Sequence, residues 1–597
     1  MLLKRTIDCG SLRKSDVGRN VILNGWVNRW RNHGGIFFIN LRDRYGITQV
    51  VVDTETAEAP ELAAICLQLR NEFCIAVEGA VRPRPADMVN PSMDTGEIEV
   101  LASRIEIFNK SEVLPFQVDE ESNASEELRL KYRYLDLRSQ AMQDRIKLRS
   151  EVTFAVREWM TSNGFYEIET PTFIRSTPEG ARDFLVPSRL YPGKFYALPQ
   201  SPQLYKQLLM VSGFDKYFQI ARCYRDEDSR GDRQPEFTQI DIEMSFVDRE
   251  DVLSMTEGLF NYIFKKTLNH ELPPQFTRLS YEEAMELYGT DKPDLRYELK
   301  MQDFAPYVQD GDFQAFKDAL AQEGGGVKAL VVKGRADYSR KQIEELEAQA
   351  KIYRARGMAW MKVVSGTAME GGVSKFFANN AAQIIKGLEA GQGDLILVVA
   401  DVKRSVANTA LGAVRSKLGR DLNLCDPKKF EFVWIVDFPM FEFNEDENRW
   451  EAAHHMFTWP QEKYHATMEQ DPGSVKGDLY DLVLNGFELA SGSIRIHDCE
   501  LQKRIFNIVG FDSDEAEKKF GFLTGAFKYG APPHGGIAPG LDRLVMIMAG
   551  LSSIKDVIAF PKNSFACSPM DDCPGEVDQK QLDELNIVIK AVPKDVQ

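Results

Sequence analysis

A segment between residues 217 and 246 combines a cation, a carboxylate and an aromatic ring in a way that suits a nucleotide. Two strand-like stretches, KYFQIARCYRDE and PEFTQIDIEMSF, flank the charged sequence DSRGDRQ. Arg225 would bind a phosphate, Glu227 would accept hydrogen bonds from a base edge, and the ring of Phe237 would stack on a base. The segment is therefore predicted to be an antiparallel hairpin that handles an adenylate.

Side chains along the second strand sort by period 2 into two faces. One face is predicted to be core and the other is too polar for a core: the first holds Ile240, Ile242, Met244 and Phe246, and the second holds Phe237, Gln239, Asp241 and Glu243. The alternative is an ordinary surface hairpin with a solvated outer face, which antiparallel strands often have.

A second segment, GGIAPGLDRL at 535–544, leads into the apolar run 545–548. Arg543 is predicted to lie in the first turn of a helix behind a glycine-rich approach, where free backbone N–H groups and the helix dipole favour phosphate. An arginine adds a bidentate partner for an anion. The chain has no GxxxxGK[ST] sequence, which excludes a P-loop.

Two carboxylates are brought together by a predicted hairpin turn at Asn485-Gly486. A two-residue turn would pair Leu484 with Phe487, Val483 with Glu488 and Asp481 with Ala490. Asp481 and Glu488 would then share a face, as hard oxygen ligands suited to Mg²⁺ bridging ATP phosphates.

Composition indicates a large globular protein of several domains. The 597 residues are 43% hydrophobic and 27% charged, with a net charge of -17. Residues 1–50 are locally basic, with nine Lys or Arg against three Asp or Glu, as binding of RNA requires. No signal peptide or apolar run of membrane-spanning length is recognised, and the eight cysteines form no CxxC pair. We expect a cytoplasmic protein with reduced thiols, no zinc and no membrane contact.

Short apolar runs in the first hundred residues predict a small β-barrel. They are VILNGWV, IFFINL, TQVVV, CIAV and EIEVL, with Gly46, Gly79 and Gly96 as punctuation. Phe38 alternates with polar neighbours, and Gln49 lies on the next run. An aromatic and polar face of this kind suits unstacked bases, although Phe38 in the core is the alternative.

In these motifs the chain resembles class II aminoacyl-tRNA synthetases, and among them most closely the bacterial-type aspartyl enzymes of subclass IIb. The three class motifs correspond here to Arg145–Pro171, to CYRDE around Arg225 and to GLDR at 540–543. The subgroup is marked by TPEGARD at 177–183, QSPQLYK at 200–206, RQPEFTQID at 233–241, HH at 454–455 and GSIRIH at 492–497.

The resemblance implies an aspartate–tRNA ligase that uses ATP with Mg²⁺, works as a homodimer and charges tRNA-Asp. It implies site residues in four groups: catalytic Arg225 and Arg543; aspartate-binding Glu179, Ser201, Gln203, Lys206, Arg225, Asp241, His454 and Arg495; ATP-binding Arg225, Glu227, Gln234, Phe237, Glu488, Gly540 and Arg543; and metal-binding Asp481 and Glu488. His454 and Asp241 would order Lys206 and Arg495. Strict alternation places Arg495 opposite Glu488, so its role requires a bulge, expected at 491–493. Ala490-Ser491 departs from the glycines common there.

The implied fold class is a multidomain α/β protein with an N-terminal OB-fold barrel and an antiparallel catalytic sheet interrupted by an inserted α+β domain. The predicted boundaries are 1–108 for the anticodon-binding OB-fold, 109–140 for a hinge, 141–290 for the first half of the catalytic domain, 291–429 for the insertion, 430–570 for the second half and 571–597 for a C-terminal extension.

The resemblance also places tRNA anticodon contacts at five positions of the barrel: Arg31, His33, Phe38, Gln49 and Asp87. The run His33-Gly-Gly is typical of enzymes that charge both tRNA-Asp and tRNA-Asn, whereas Asp87 matches neither type. Three interpretations stay open: an aspartate–tRNA ligase with or without tRNA-Asn activity, an asparaginyl or lysyl enzyme, and a non-catalytic paralogue that binds RNA. The presence of Arg225, Glu227, Glu488 and Arg543 disfavours the last.

Overall fold

The computed structural model describes residues 3–53, 59–118, 123–177, 180–228 and 231–590. The predicted aspartate contact Glu179 lies outside these ranges. The chain divides into two compact units, one of Met1–Ile146 with Ser568–Cys573 and one of Lys147–Cys567 with Pro574–Gln597.

The first unit is built around a closed barrel of five strands in the order β1-β2-β3-β5-β4, as predicted. Its elements are β1 (Asn20–His33), β2 (Ile36–Asp43), β3 (Gly46–Val52), α1 (Ala59–Cys66), β4 (Cys74–Pro83), β5 (Ile98–Asn109), α2 (Glu126–Lys131), α3 (Arg133–Asp136) and the start of α4 (Gln140–Ser162). Gly79 does not end a strand as expected but lies inside β4, where a side chain would collide with the carbonyl of Leu101.

The second unit begins with the rest of α4 and the predicted adenylate hairpin. Its elements up to residue 288 are β6 (Tyr166–Glu167), β7 (Leu185–Pro187), β8 (Phe195–Ala197), α5 (Gln203–Val211), β9 (Lys216–Tyr224), β10 (Glu236–Ser245), α6 (Arg249–Leu268), β11 (Thr277–Ser280) and α7 (Tyr281–Tyr288). Strands β9 and β10 pair antiparallel from Tyr224↔Glu236 to Lys216↔Met244, which confirms the hairpin.

The predicted core face of β10 is correct except at its end. Ile240 and Ile242 are fully buried, whereas Phe246 is 71% exposed. The strand stops at Ser245, and Phe246 adopts a left-handed backbone with φ of 58°. The period-2 pattern therefore does not extend to Phe246.

An α+β domain is inserted after α7, as predicted. It contains β12 (Met301–Asp303), α8 (Gln314–Leu320), β13 (Gly326–Val332), α9 (Arg340–Ile352), β14 (Ala359–Ser365), β15 (Ala368–Glu370), α10 (Ala381–Gly387), β16 (Leu395–Asp401) and α11 (Arg404–Asp421). The strands form a separate sheet in the order β12-β13-β16-β14-β15. Apolar side chains pack on both faces of this sheet, so the insertion has a core of its own.

The chain then returns to the main sheet. The remaining elements are β17 (Phe432–Val436), β18 (Phe441–Asn444), β19 (Arg449–Ala452), β20 (Leu479–Leu484), β21 (Phe487–Ile494), α12 (Cys499–Ile508), α13 (Ser513–Phe527), β22 (His534–Pro539), α14 (Leu541–Met548) and α15 (Gln579–Leu585). The eight-stranded sheet has the order β11-β17-β20-β21-β22-β10-β9-β6, with parallel pairs at its two edges and antiparallel pairs between them. Strands from both sides of the insertion are thus neighbours.

The main core lies between this sheet and the helices α4, α6 and α14. Alternate side chains of β10 and the inner faces of α6 supply fully buried apolar groups such as Phe260 and Ile263. Across the described ranges, every helix is too short or too polar to cross a lipid bilayer.

Candidate active site

A cleft of about 640 Å³ opens over the middle of the eight-stranded sheet. Its walls bring together side chains that lie far apart in sequence, from α5, β10, β21 and the start of α14. The sequence-predicted residues that line it are Ser201, Gln203, Lys206, Arg225, Glu227, Gln234, Phe237, Asp241, His454, Glu488, Arg495, Gly540 and Arg543. The metal candidate Asp481 lies beneath the surface, 2% exposed, and does not line the cleft.

One end of the cleft contains two buried cations. Nζ of Lys206 lies 2.9 Å from Asp241 and 3.2 Å from Glu243, and Nε of Arg495 lies 3.1 Å from the same Glu243. All four side chains are at most 2% exposed. Glu243, which the sequence placed only on the polar face of its strand, therefore joins the two cations that were predicted to read the amino acid.

Arg495 is held by three neighbours. Besides Glu243, its Nη1 atom donates to Oγ of Ser493 at 2.7 Å and lies 2.8 Å from Nε2 of His455. Burial, with the positive charge of Arg495 second, holds the pKa of His455 well below its usual value, so the imidazole is neutral. His455 therefore packs against the buried Arg495 without adding a second positive charge.

The structure gives the contact with Arg495 to a different histidine from the predicted His454. His455, the next residue, makes the contact with Arg495, whereas Nε2 of His454 lies 4.0 Å from Asp481. The two adjacent histidines point in different directions, and sequence alone does not show which of them faces the cations. Burial lowers the pKa of His454.

Arg225 and Phe237 form the middle of the cleft. The guanidinium carbon of Arg225 lies 5.0 Å from the ring centroid of Phe237, a cation–π distance. Nε of Arg225 is buried and has no hydrogen-bond partner within the described residues. An arginine with an unused buried donor is available to a bound anion, because leaving such a donor unpaired is costly.

Two other predicted nucleotide contacts are already engaged. Glu227 pairs with Arg233 at 3.2 Å. Gln234 donates to the carbonyl of Lys562 at 3.0 Å and accepts from its backbone N–H at 2.8 Å. This pair of bonds favours a positioning role for Gln234, since contact with ATP would have to replace them.

Arg543 lies in the first turn of α14, as predicted, and Gly540 is the N-cap of this helix. Its guanidinium donates to the backbone carbonyl of Glu488 and lies 3.2 Å from a carboxylate oxygen of Asp232. The glycines at 535 and 536 belong to strand β22 rather than to a loop. Backbone approach to a phosphate is therefore confined to the turn at Gly540.

The Asn485-Gly486 turn forms as predicted, with Leu484↔Phe487 and Val483↔Glu488 as the first pairs. Beyond them the register shifts, so that Asp481 faces Ser491 rather than Ala490. The bulge lies at Leu489, between Glu488 and Ala490, and not at 491–493 as expected. Because one extra residue inverts the alternation, Arg495 comes to the face of the sheet that carries Glu488.

The pKa values of Asp481 and Glu488 are shifted in opposite directions. Burial, with the negative charge of Glu488 second, raises the pKa of Asp481 well above its ordinary value. Burial would also raise the pKa of Glu488, but an ion pair with Lys292 at 2.7 Å holds it below the ordinary range. Lys292, in the loop after α7, was not anticipated, because nothing in its sequence context points to a site in a distant hairpin.

Fit to Mg²⁺ rests on the donor set. Asp481 and Glu488 offer hard oxygen ligands, and Oδ1 of Asp481 is buried without a hydrogen-bond partner in the described part of the chain. Mg²⁺ in nucleotide sites is commonly held by one or two carboxylates together with substrate phosphates. The described residues contain no cluster of three or more acidic, histidine or cysteine side chains placed to hold a metal. Two carboxylates suit an ion that arrives with ATP.

Four of the five predicted anticodon contacts, Arg31, His33, Phe38 and Gln49, lie on one side of β1, β2 and β3 that points away from the barrel core, here called the open face. Arg31 pairs across strands with Phe38, and the ring of His33 lies 6.2 Å from that of Phe38. Gln49 donates to Glu99 at 2.9 Å, and Glu99 also pairs with Arg82. Asp87 is exposed in a short turn between β4 and β5. Phe38 is partly exposed, as a stacking surface requires.

The comparisons with known proteins agree with this geometry. A family model of class II tRNA synthetases (D, K and N) matches residues 125–564, and one of the OB-fold nucleic acid binding domain matches residues 21–108. The chain is 71% identical to an aspartate–tRNA(Asp/Asn) ligase of Treponema denticola, over 98% of this chain and 99% of the relative. It is 50% identical to an aspartate–tRNA ligase of Macrococcus caseolyticus, with 98% of each chain covered.

Solved structures confirm the fold. An asparaginyl-tRNA synthetase from Pyrococcus horikoshii complexed with asparaginyl-adenylate superposes with a TM-score of 0.59 at 20% identity, covering 94% of this chain and 98% of the other. A putative aspartyl-tRNA synthetase from Leishmania major superposes with a TM-score of 0.60 at 22% identity, covering 94% and 95%. The predicted fold class, a barrel followed by a catalytic sheet with an insertion, is confirmed.

Proposed function

This chain belongs to the class II tRNA synthetases of the D, K and N group, and we propose that its cleft joins L-aspartate to ATP and then to tRNA-Asp. It is an aminoacyl-tRNA ligase. The observation that carries the choice of aspartate is the pair of buried cations, Lys206 and Arg495, at one end of the cleft.

The first step needs no general base, because the α-carboxylate of aspartate is already a nucleophile. It attacks the α-phosphorus in line and releases pyrophosphate, leaving aspartyl-adenylate. Arg225 holds the carboxylate and the α-phosphate together through its free donor, and Arg543 holds the outer phosphates. Phe237 stacks on adenine. Positioning and charge stabilisation of this kind supply the rate.

Asp481 and Glu488 would hold Mg²⁺, which would supply neutralisation of phosphate charge when bound with ATP. In the second step a ribose hydroxyl at the 3′ end of the tRNA attacks the mixed anhydride and releases AMP. The barrel holds the anticodon through Arg31, Phe38 and Gln49 on its open face. Catalysis and RNA selection thus use different elements of the chain.

Rejection of asparagine depends on geometry as well as on charge. Lys206 and Arg495 are each already paired with a carboxylate, so two cations face two anions before substrate binds. A side-chain carboxylate can accept from both fixed donors, whereas an amide turns N–H groups toward one of them. A buried donor left without an acceptor costs about 1–3 kcal/mol, which corresponds to roughly tenfold or more in selection.

ATP–pyrophosphate exchange with each amino acid tests the proposal. We expect exchange with L-aspartate and at least about tenfold less with asparagine or lysine. Exchange driven by asparagine or lysine at the same level would refute it, and exchange with none of the three would favour a non-catalytic RNA-binding protein.

A second activity, aspartylation of tRNA-Asn, is favoured by two observations. His33 lies exposed beside Phe38 on the barrel face, and relatives at 58–71% identity are named as ligases of tRNA(Asp/Asn). An imidazole ring can offer a donor or an acceptor nitrogen, and so tolerates either last anticodon base. Charging of purified tRNA-Asn, weaker than that of tRNA-Asp, is the expected result.

We also expect a homodimer that acts in the cytoplasm. Helix α4 and the segment after it expose large apolar side chains, among them Phe154, Tyr166 and Phe173 at 59–65% exposure. Contiguous exposed apolar surface usually marks an interface. Light scattering should give about twice the 67.7 kDa of one chain, and a mass near that of one chain at assay concentration would contradict the dimer.

A further inference from the structure

Lys292 reaches the acidic pair from outside the catalytic sheet. It lies in the loop between α7 and the insertion, and its backbone N–H donates to Oγ1 of Thr290 at 3.1 Å. Its Nζ atom lies 2.7 Å from Oε2 of Glu488, and it lines the same cleft as Arg543. The lysine is therefore a cation placed on one of the two carboxylates assigned to the metal.

No other cation described here contacts the carboxylate of Glu488 or Asp481. Arg543 reaches Glu488 through its backbone carbonyl only. The remaining neighbour is His454, whose Nε2 atom lies 4.0 Å from Asp481, at the outer limit of an ion pair. Before ATP binds, Lys292 is therefore the cation paired directly with Glu488, and Arg543 adds a more distant positive charge.

We propose that Lys292 is a built-in competitor for the divalent ion: its ammonium holds Glu488 while the site is without metal and must give way when the metal arrives with ATP. The inference rests on the proposed function. Mg²⁺ binds carboxylate oxygen at about 2.0–2.1 Å. A divalent ion there would face an ammonium on the same carboxylate, and the two positive charges repel strongly where water is partly excluded.

Displacement of the Lys292 ammonium by the metal has a consequence for the order in which metal and nucleotide bind. Free metal meets a site whose charge is already partly neutralised, so it binds weakly. The polyphosphate of ATP brings enough negative charge to hold the metal and to attract the displaced ammonium, which lies in the same cleft. Lys292 thus acts as a positioning residue that makes the carboxylates selective for metal complexed with nucleotide.

Binding of Mn²⁺ to the full-length protein without nucleotide, followed by electron paramagnetic resonance, tests the proposal. Lys292→Met should bind Mn²⁺ roughly tenfold more tightly at this site, since one opposing charge is gone, whereas Lys292→Arg should stay near wild type. The matched control is Lys476→Met, which removes a similarly exposed lysine paired with Glu282 at 3.5 Å. This control should leave Mn²⁺ affinity unchanged.

Glu488→Gln, made alone and combined with Lys292→Met, locates the effect. The proposal requires that the tighter binding of Lys292→Met is lost in the double variant. If Glu488→Gln weakens Mn²⁺ binding but Lys292→Met equals wild type, the metal site stands and the competitor is refuted. If Glu488→Gln changes nothing in either background, the assignment of metal to this pair fails as well. Aspartate-dependent pyrophosphate exchange by wild type tests the ligase independently of both outcomes.

Discussion

Arg495 and Glu243 are joined side by side, with Nε of the arginine 3.1 Å from one carboxylate oxygen and Nη2 3.4 Å from the other. Both side chains are almost fully buried, and Lys206 lies 3.2 Å from the same carboxylate. Glu243 consequently holds the positive charges of Lys206 and Arg495 close together. The direction in which Arg495 presents its remaining donors depends on this residue.

Glu243→Gln should impair aspartate binding more than ATP binding. Loss of the shared negative charge leaves two buried cations with one carboxylate, so the KM for aspartate should rise at least about tenfold and stability should fall by about 3 kcal/mol or more. Pyrophosphate exchange at varied aspartate and varied ATP measures the first effect, and urea unfolding the second. Glu236→Gln, in the partly exposed start of the same strand, is the control. An unchanged KM for aspartate in Glu243→Gln would contradict the bridging role.

Gly536→Ala, in the strand next to Glu243, should impair aspartate binding and stability as Glu243→Gln does. Gly536 pairs with Glu243 across β10 and β22, and an added methyl group would collide with the carboxylate of Glu243 and the carbonyl of Ile242. We expect a loss of stability of roughly 1–3 kcal/mol together with a raised KM for aspartate. Gly525→Ala in α13, where the methyl group meets nothing within 4 Å, should be neutral or stabilising. Equal behaviour of the two variants would show that Glu243 tolerates displacement.

Arg225→Ala and Arg543→Ala should each lower the rate of aspartyl-adenylate formation by roughly 10² or more, the scale of losing one preorganised charge-stabilising contact. Affinity for tRNA should barely change, because the anticodon contacts belong to the barrel. The measurements are pyrophosphate exchange and filter binding of tRNA. Arg340→Ala removes an exposed arginine of α9 and serves as control. Near-normal exchange in either active-site variant would mean that the phosphates bind elsewhere.

His33→Leu should narrow the choice of tRNA. The substitution removes the group that can donate to or accept from the last anticodon base, so charging of tRNA-Asn should fall more than that of tRNA-Asp. Pyrophosphate exchange without tRNA should stay at the wild-type level, which separates RNA selection from chemistry. If wild type does not aspartylate tRNA-Asn at high enzyme concentration, His33 does not relax selection here.

The ion pairs of Glu286 should make local stability depend on pH. Its carboxylate accepts from Nε and Nη2 of Arg404, both at 2.7 Å, and pairs with Lys328 at 3.0 Å. Hydrogen bonds from Arg404 lower the pKa of Glu286 from 4.5 to about 2. The folded carboxylate is the stronger acid, so its contribution is fully present above about pH 5 and is lost as the pH falls toward 2.

Glu286→Gln should therefore destabilise the contact of α7 with α11 by about 1–2 kcal/mol near neutral pH, a value reduced because the carboxylate is partly exposed. Hydrogen exchange of peptides from these helices measures the effect at pH 7 and at pH 3, where the difference from wild type should shrink. Glu344→Gln, which breaks the exposed pair with Arg340, is the control and should have little effect at either pH. A difference that grows on acidification would contradict the assignment.

Local patterns predicted what depends on neighbours in sequence. Alternation along β10, the Asn485-Gly486 turn and the helix that begins after Gly540 all form as expected. Each of these follows from backbone geometry over a few residues. Resemblance to the family predicted that they belong to one site.

Details that depend on a single residue of register or on distant chain were not predictable. The bulge at Leu489 moves Asp481 opposite Ser491, because a slip of one residue exchanges the faces of a strand. His455 takes the contact expected of His454. Lys292 meets Glu488 across nearly 200 positions of sequence, and no local pattern marks such a partner.

The strand order of the catalytic sheet also sets the time at which the site can be completed during translation. Ser245 at the end of β10 pairs with His534 in β22, roughly 290 residues later, and the whole insertion is synthesised between them. At about 5–20 residues per second this interval lasts roughly 15–60 s. Throughout it, one edge of β10 lacks its partner, and an open strand edge is a template for aggregation. The nascent chain is thus most vulnerable while the ribosome is making the insertion, which has a core of its own and can fold before the site that it interrupts.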